Sequence, residues 1–445
     1  MDRINCLPDD ILCHILSFLP AIEAVTTSIL SRRWRHLWKD LQVIDINDDD
    51  TFCKYNDDAE RHARFRSFVN AILSQRNAHS CPVQKFRLSC HCSQESISTW
   101  LDAVIGPSLQ ELHLDLYFIG DDGDAITLPE GIFTCPSLKS LVLTGYIGLY
   151  DDEVSNVYLP SLKNLEVRIL YVDIHKILSG CPALENVNLD LDGYGLCIPK
   201  LQMPQTLKRL TLLESGRFYQ ETEEISVREI YTPSLEYLNL SIYSSEECAI
   251  QVSAMNFPNM VEAHLSITEC ADANVGWVLE LIQALSQTKL LALKNYTTEC
   301  LFRPPGFEFP EFHRLLNLEL DVPWFNKSFL LNLLHNCPVL ERLLINIGLF
   351  ETMELEYNGP TPPTMVPNCV TSHLKSFEYI GYQDSADEHE FIACVLQSGL
   401  VLKTVTIHLK SNLDQATKYV IVMILSAIPK GSTTCHLNFI GQNPN

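Results

Sequence analysis

The alternation of apolar and polar positions in the middle of the chain keeps returning to one short unit, L-x-x-L-x-L, often with proline two places before its first leucine. Clear copies are Pro107/Leu109/Leu112/Leu114, Pro136/Leu138/Leu141/Leu143, Pro160/Leu162/Leu165/Val167 and Pro182/Leu184/Val187/Leu189. Leu207/Leu210/Leu212, Pro233/Leu235/Leu238/Leu240, Pro258/Met260/Ala263/Leu265, Leu315/Leu318/Leu320 and Pro338/Leu340/Leu343/Ile345 follow. Weaker copies start at Val83 (Phe86, Leu88), Leu290 (Leu293, then Asn295), Leu374 (Phe377, Tyr379) and Leu402 (Val405, Ile407). The thirteen starts from Val83 to Leu402 are spaced by about 26.6 residues on average, inside the leucine-rich-repeat range.

The spacing has a physical reading. In x-L-x-L the two apolar residues alternate, so both point to one face of a short strand. The first leucine closes a turn onto that strand, and a preceding proline, lacking an amide donor, favours the turn. Helices are predicted between strands, for example at Trp277 to Leu285 and Phe329 to Leu334. One such unit cannot bury its apolar face alone, whereas stacked neighbours share a core. The predicted fold is α/β, an irregular solenoid with parallel strands on the concave face and helices on the convex face. Four Cys-Pro pairs (Cys81-Pro82, Cys135-Pro136, Cys181-Pro182, Cys337-Pro338) occupy one repeat phase and read as packing residues.

The first forty residues carry a different, helical pattern. Pro8 suits a first helical position, and Asp9 and Asp10 favour a helix N-terminus. Apolar residues fall at 11, 15 and 18 and again at 12, 16 and 19, so the helix is apolar on more than one stripe, and Pro20 ends it. A second helical pattern runs through Leu30, Trp34, Leu37 and Trp38. So short a segment cannot hide a two-sided apolar helix within itself; the surplus must meet the repeat or a partner.

Charge sharpens the division. The formal net charge is −23, yet residues 1–40 hold five basic and five acidic residues, so the whole excess lies in 41–445. That surface repels nucleic acid and anionic lipid, and neither partner is predicted. The longest near-unbroken apolar run, Tyr419 to Ile428, is too short to span a bilayer. Without a basic and apolar leader, the 16 cysteines read as reduced thiols and the location as cytoplasmic, nuclear or both. The acid-rich stretch from Asp45 to Asp58 marks a junction, with Asp48-Asp49-Asp50 a solvated loop, and 358–363 marks another.

Motifs for bond chemistry are missing from the sequence. Cys81, Cys90, His91 and Cys92 lack the paired spacing of a zinc knuckle, and Asp121-Asp122-Gly123-Asp124 is followed by Ile132 where a calcium loop needs glutamate. Phosphate loops, nucleophile elbows and H-E-x-x-H do not occur. No catalytic set, metal or cofactor is predicted.

The N-terminal segment resembles an F-box. The resemblance rests on Leu7-Pro8-x-x-Ile11-Leu12-x-x-Ile15-Leu16-Ser17-Phe18-Leu19-Pro20 and on Ala24-Val25-x-Thr27-Ser28-Ile29-Leu30-Ser31-Arg32-Arg33-Trp34-Arg35-x-Leu37-Trp38. The tail, from Leu374-Lys375-Ser376-Phe377-Glu378-Tyr379-Ile380-Gly381-Tyr382 to Leu402-Lys403-Thr404-Val405-Thr406-Ile407, resembles the FBD module. Together with the repeats the chain resembles the plant F-box/FBD/leucine-rich-repeat family, divided as an F-box over 1–40, a solenoid over 41–365 and an FBD-like α/β module over 366–441.

That resemblance implies a non-catalytic substrate-recognition subunit of an SCF-type cullin–RING ubiquitin ligase. The F-box would dock a Skp-type adaptor, and through it cullin and RING subunits, while the repeats hold an unknown protein substrate. Carried over, Leu7, Pro8, Ile11, Leu12, Ile15, Leu16, Leu19, Val25, Leu30, Trp34 and Trp38 form the adaptor interface or its immediate support. The residues flanking the strand leucines, among them Glu111, His113, Asp115, Glu166, Arg168, Asn186, Asn188, Asp190, Tyr237 and Asn239, are candidates for substrate contact. Alternatives are a small-ligand, hormone-type receptor, an enzyme using the repeat as scaffold, and a scaffold or inhibitor without a ubiquitin link. A structural polyphosphate in such a receptor needs converging Arg and Lys, which 27 basic against 50 acidic residues in 41–445 disfavour.

Overall fold

The computed structural model describes residues 4, 6–48, 58–77, 81–118, 125–149, 156–172, 174–190, 203–213, 226–229, 232–243, 248–251, 257–268, 276–295, 297–302, 306–348, 357 and 359–441. The chain forms two compact units, one of residues 1–207 and 215–220, the other of 208–214 and 221–445.

The first unit opens with three short helices: α1 (Asp9–Leu16), α2 (Ala21–Thr26) and α3 (Trp34–Leu37). A helix through Leu30 does not form. A 3-10 turn at Thr27–Ile29 breaks the chain there, and the Thr27 hydroxyl donates to the Ala24 carbonyl at 2.7 Å. Six strands then stack in parallel: β1 (Val43–Asn47), β2 (Lys85–Cys92), β3 (Glu111–Phe118), β5 (Ser140–Leu149), β6 (Asn164–Val172) and β7 (Asn186–Asp190), with β4 (Ile126–Thr127) beside β5. Helices α4 (Asp58–Asn77), α5 (Gln94–Val104) and α6 (Ile174–Ser179) lie in the connections.

The register is that of the repeat. Ile44, Phe86, Leu112, Leu141, Leu165 and Val187 align across the sheet, and Ile46, Leu88, Leu114, Leu143, Val167 and Leu189 form a second row; all are buried. A backbone ladder holds each rung on the next. The Gln42 carbonyl accepts from the amides of Gln84 and Lys85, Gln84 serves Gln110 and Glu111 alike, and Gln110 serves Lys139 and Ser140. Each shared carbonyl satisfies two turn amides where the strand begins.

Two expectations change here. Leu41, Ile44 and Ile46 form a further rung before the one at Val83, so the acid-rich junction begins inside a strand. Asp48 is 1% exposed, not solvated: its carboxylate accepts from the His91 amide at 2.8 Å and lies 3.2 Å from His91 Nδ1 and 3.8 Å from Arg61. Paired donors make burial of that charge tolerable. Asp49, Asp50 and 121–124 lie outside the described residues.

In the second unit β8 (Arg209–Leu213), β10 (Tyr237–Tyr243), β12 (Glu262–Thr268), β13 (Leu290–Asn295), β14 (Asn317–Val322), β15 (Arg342–Ile347), β16 (Ser376–Tyr382), β17 (Thr404–Leu409) and β18 (His436–Ile440) run parallel in that order. A separate pair joins β9 (Ser226–Glu229) to β11 (Cys248–Gln251). The helices are α7 (Gly276–Ala284), α8 (Glu299–Phe302), α9 (Lys327–His335), α10 (Asn368–Ser372), α11 (Ala386–Ser398) and α12 (Gln415–Ser426). The weak copy read from Leu290 is displaced by two residues. Leu291 and Leu293 align with Ala263 and Leu265, and buried Thr288 takes the place of the first leucine. Its hydroxyl donates to the Leu285 carbonyl at 2.8 Å, which lets a polar residue close that turn.

The cysteine phase is a packing phase. Cys135, Cys181 and Cys337 are buried, and burial pushes the Cys181 thiol up to about 12 and that of Cys337 well above its ordinary value. Cys81 is only half-buried, with its thiol 3.3 Å from the Asp40 carbonyl.

Candidate functional site: an open apolar face on the N-terminal helices

The two apolar stripes of α1 separate cleanly. Leu12 and Leu16 are wholly buried, together with Trp34, Leu37 and Trp38. Ile11, Ile15 and Phe18 remain in solvent, Phe18 at 75% exposure with its ring edge-on to His14. The inward stripe therefore builds the motif, and the outward one is left uncovered. Phe18 was not among the residues assigned to the interface, although it completes the 11, 15, 18 spacing.

Arg33 fixes the entry to α1. Its guanidinium contacts the Asp9 carboxylate at 2.7 Å through Nε and 2.5 Å through Nη2, and donates to the Leu7 carbonyl at 2.5 Å. This draws the segment before Trp34 against the start of the first helix. Leu7 is half-buried there and Pro8 exposed.

A second apolar surface lies across the turn after α2. Ile29 is 80% exposed and Leu30 is 64% exposed, and with Leu19, Ile22 and Thr26 they line an open groove. Ile22 and Ile29 were not singled out from the sequence; the 3-10 turn that presents Ile29 has no periodic signature. Val25 is half-buried and lines a small, partly open pocket with Trp38, Leu41 and Ile72. Of the assigned interface residues, Pro8, Ile11, Ile15 and Leu30 are open, Leu7, Leu19 and Val25 are half-buried, and Leu12, Leu16, Trp34 and Trp38 are interior.

The helices are held on the first rungs. Arg76 of α4 is buried and donates to the Trp38 carbonyl at 3.1 Å and to the Leu41 carbonyl. Burial lowers its pKa; two carbonyls at the end of the motif accept from its terminal nitrogens, while its buried Nε has no hydrogen-bond partner among the described residues.

The polar positions of the strands face away from the buried rows. Glu111, Asn186 and Lys85 share one lateral row, His113, Glu166 and Asn188 a second, and Asp115, Arg168 and Asp190 a third. Lys85 pairs with Glu111 at 2.7 Å and Arg168 with Glu166 at 3.1 Å, while Ser89 donates to Asp115 at 3.0 Å. The second Asp115 oxygen and the Asn188 amide oxygen are buried without a hydrogen-bond partner. Burial, then Arg87, lower the His113 pKa below its ordinary value. Tyr237 and Asn239 lie in the second unit, where Arg209 sits over the Tyr237 ring at 3.9 Å. A groove bounded by Phe18 and Leu19 on one side and Asp45, Lys85, Arg87 and Glu111 on the other brings the apolar helical face to the charged strand face.

Among the described residues, no group of three or more His, Cys, Asp and Glu side chains converges on a metal position. No helix among them is long and apolar enough to cross a membrane.

Comparison with known proteins identifies these parts. Residues 4–45 match the F-box domain, residues 97–262 the leucine-rich repeats of "FBD-associated F-box protein At5g56370", and residues 362–407 the FBD. The F-box/FBD/LRR-repeat protein At4g26340 of Arabidopsis thaliana is 29% identical, over 99% of this chain and all of its own length. The FBD-associated F-box protein At5g60610 of the same plant is 30% identical, over 92% of this chain and all of its own. The chain belongs to the F-box/FBD/LRR-repeat protein family.

Proposed function

We propose that this protein is the substrate-recognition subunit of an SCF-type ubiquitin ligase, docking a Skp-type adaptor through its F-box and a protein substrate through its repeats. The observation that carries the reading is the uncovered stripe Ile11, Ile15 and Phe18, with Ile29 and Leu30 also exposed, on a motif whose inward set, Leu12, Leu16, Trp34, Leu37 and Trp38, is already buried. Covering a fully exposed apolar side chain of this size contributes about 1.5–3 kcal/mol, less for Ile11 and Ile15, which are already half covered, and part of the sum offsets the cost of association.

The chain itself makes and breaks no bond. It holds two proteins at once and raises the effective concentration of substrate lysines near the ubiquitin-charged enzyme. The polar strand positions supply selectivity, because a partner that covers charges such as those of Lys85, Glu111 and Arg168 without pairing them is penalised.

The test is co-purification of the full chain with recombinant Skp-type adaptor, cullin and RING subunits. Assembly with the wild type and loss of assembly with Ile15→Glu/Phe18→Glu supports the reading. Equal assembly by both chains contradicts it. Point changes are preferable to removing 1–40, since removal strips Trp38 from Arg76 and uncovers the first rung.

A further inference from the structure

The end of the second unit is left as open as the F-box. Counted from their capping residues, Ser385 and Asp414, helices α11 and α12 place equivalent side chains at Phe391 and Val420 and at Val395 and Ile424. Phe391 and Val395 are buried; Val420 and Ile424 are 51% and 44% exposed, next to exposed Tyr419 and Met423. The sheet shows the same deficit. Val405 and Ile407 of β17 are fully buried, but their register partners Leu437 and Phe439 of β18 are only half-buried. The Lys418 ammonium donates to the Gly441 carbonyl at 3.2 Å, tying the helix to the end of that strand. A repeat array ordinarily closes on a polar cap.

The free edge has a defined hydrogen-bonding frame. The His436 amide donates to the Lys403 carbonyl at 2.9 Å, toward β17. By strand alternation the amides and carbonyls of Leu437 and Phe439 point the other way, where no strand among the described residues pairs. Such an edge is normally guarded by charge or proline, and 436–441 contains neither.

We propose that this face joins two copies of the chain, β18 against β18 in antiparallel fashion about a twofold axis at Asn438. The charge pattern admits a second copy at this face. Two chains of net charge −23 repel each other over most of their surfaces, yet residues 415–429 and 436–441 hold one charged residue, the buried Lys418. The pairing is also self-consistent. Centring on Asn438 sets Leu437 opposite Phe439 of the second copy, and the outward groups of both then exchange hydrogen bonds in closely spaced pairs. A twofold contact uses the same patch on both chains and closes after two. Such a dimer presents two F-boxes.

Sedimentation and cross-linking of the full chain test this. The wild type sediments as a dimer. Val420→Glu/Ile424→Glu, at exposed positions, raises the dimer dissociation constant at least about tenfold, with an unchanged circular dichroism spectrum. Asn438→Cys forms a disulfide-linked dimer on mild oxidation, because axial residues sit about 4.5 Å apart between Cα atoms, whereas the wild type under the same treatment does not. Phe18→Glu leaves the dimer intact. A monomeric wild type at high micromolar concentration, a dimer indifferent to Val420→Glu/Ile424→Glu, or one abolished by Phe18→Glu overturns the proposal.

Discussion

Arg33 shows how much of the F-box is set by single side chains. Its ion pair with Asp9 is partly exposed and contributes little by charge alone. The bond to the Leu7 carbonyl matters more, because it holds the backbone where α1 begins. Arg33→Ala is expected to lower stability by about 1 kcal/mol and to weaken adaptor binding measurably in calorimetry. Arg33→Lys should not restore either, since a single ammonium cannot span both acceptors as the guanidinium fork does. His113 gives a pH dependence. Its folded pKa lies below that of the unfolded chain, because burial and Arg87 oppose the charged form. The unfolded state therefore binds the proton first, and stability falls as the pH drops below about 6.5. Urea midpoints measured across that range should decline, and His113→Asn should flatten part of the decline.

At the scale of elements, each strand and helix works through its neighbour. Gly381 has φ +90°, and a Cβ there would stand 2.5 Å from the Ile347 carbonyl oxygen, where the register of β16 and β17 shifts. Gly381→Ala should cost about 2 kcal/mol or more, read as a lowered melting temperature. Glu388 is buried at the start of α11, accepting from the Tyr379 hydroxyl at 2.7 Å and the Ser385 amide at 2.9 Å. Glu388→Ala leaves both donors unpaired and is expected to destabilise by about 2–3 kcal/mol. The repeat strands were legible in the sequence because two leucines in alternation define a strand face without help from elsewhere. The rung at Leu41 was missed because its polar positions merge into the acidic run, and that at Leu437 because Thr434 fills its first position. Both stripes of α1 were legible, but not which one faced inward. That depends on Trp34 and Trp38, whose approach is fixed by a turn with no periodic pattern.

At the scale of the whole molecule, what the described residues offer is surface: open apolar side chains on the N-terminal helices and rows of polar side chains on the strands. In the first unit, Arg76 fastens the F-box to the first rungs, so the open helical face and the charged strand face meet in one groove. On the proposed function, this connection would set where a substrate stands relative to a docked adaptor. The polar rows of the strands follow from the repeat register, which the sequence pattern already contained. The division of the F-box into interior and open residues required the packed structure. The most direct measurement is the affinity of the full chain for a purified Skp-type adaptor by calorimetry, wild type against Ile15→Glu/Phe18→Glu, with thermal melts in parallel. The account predicts a loss of about 100-fold or more with the melting temperature preserved. An affinity unchanged by the double substitution would contradict it.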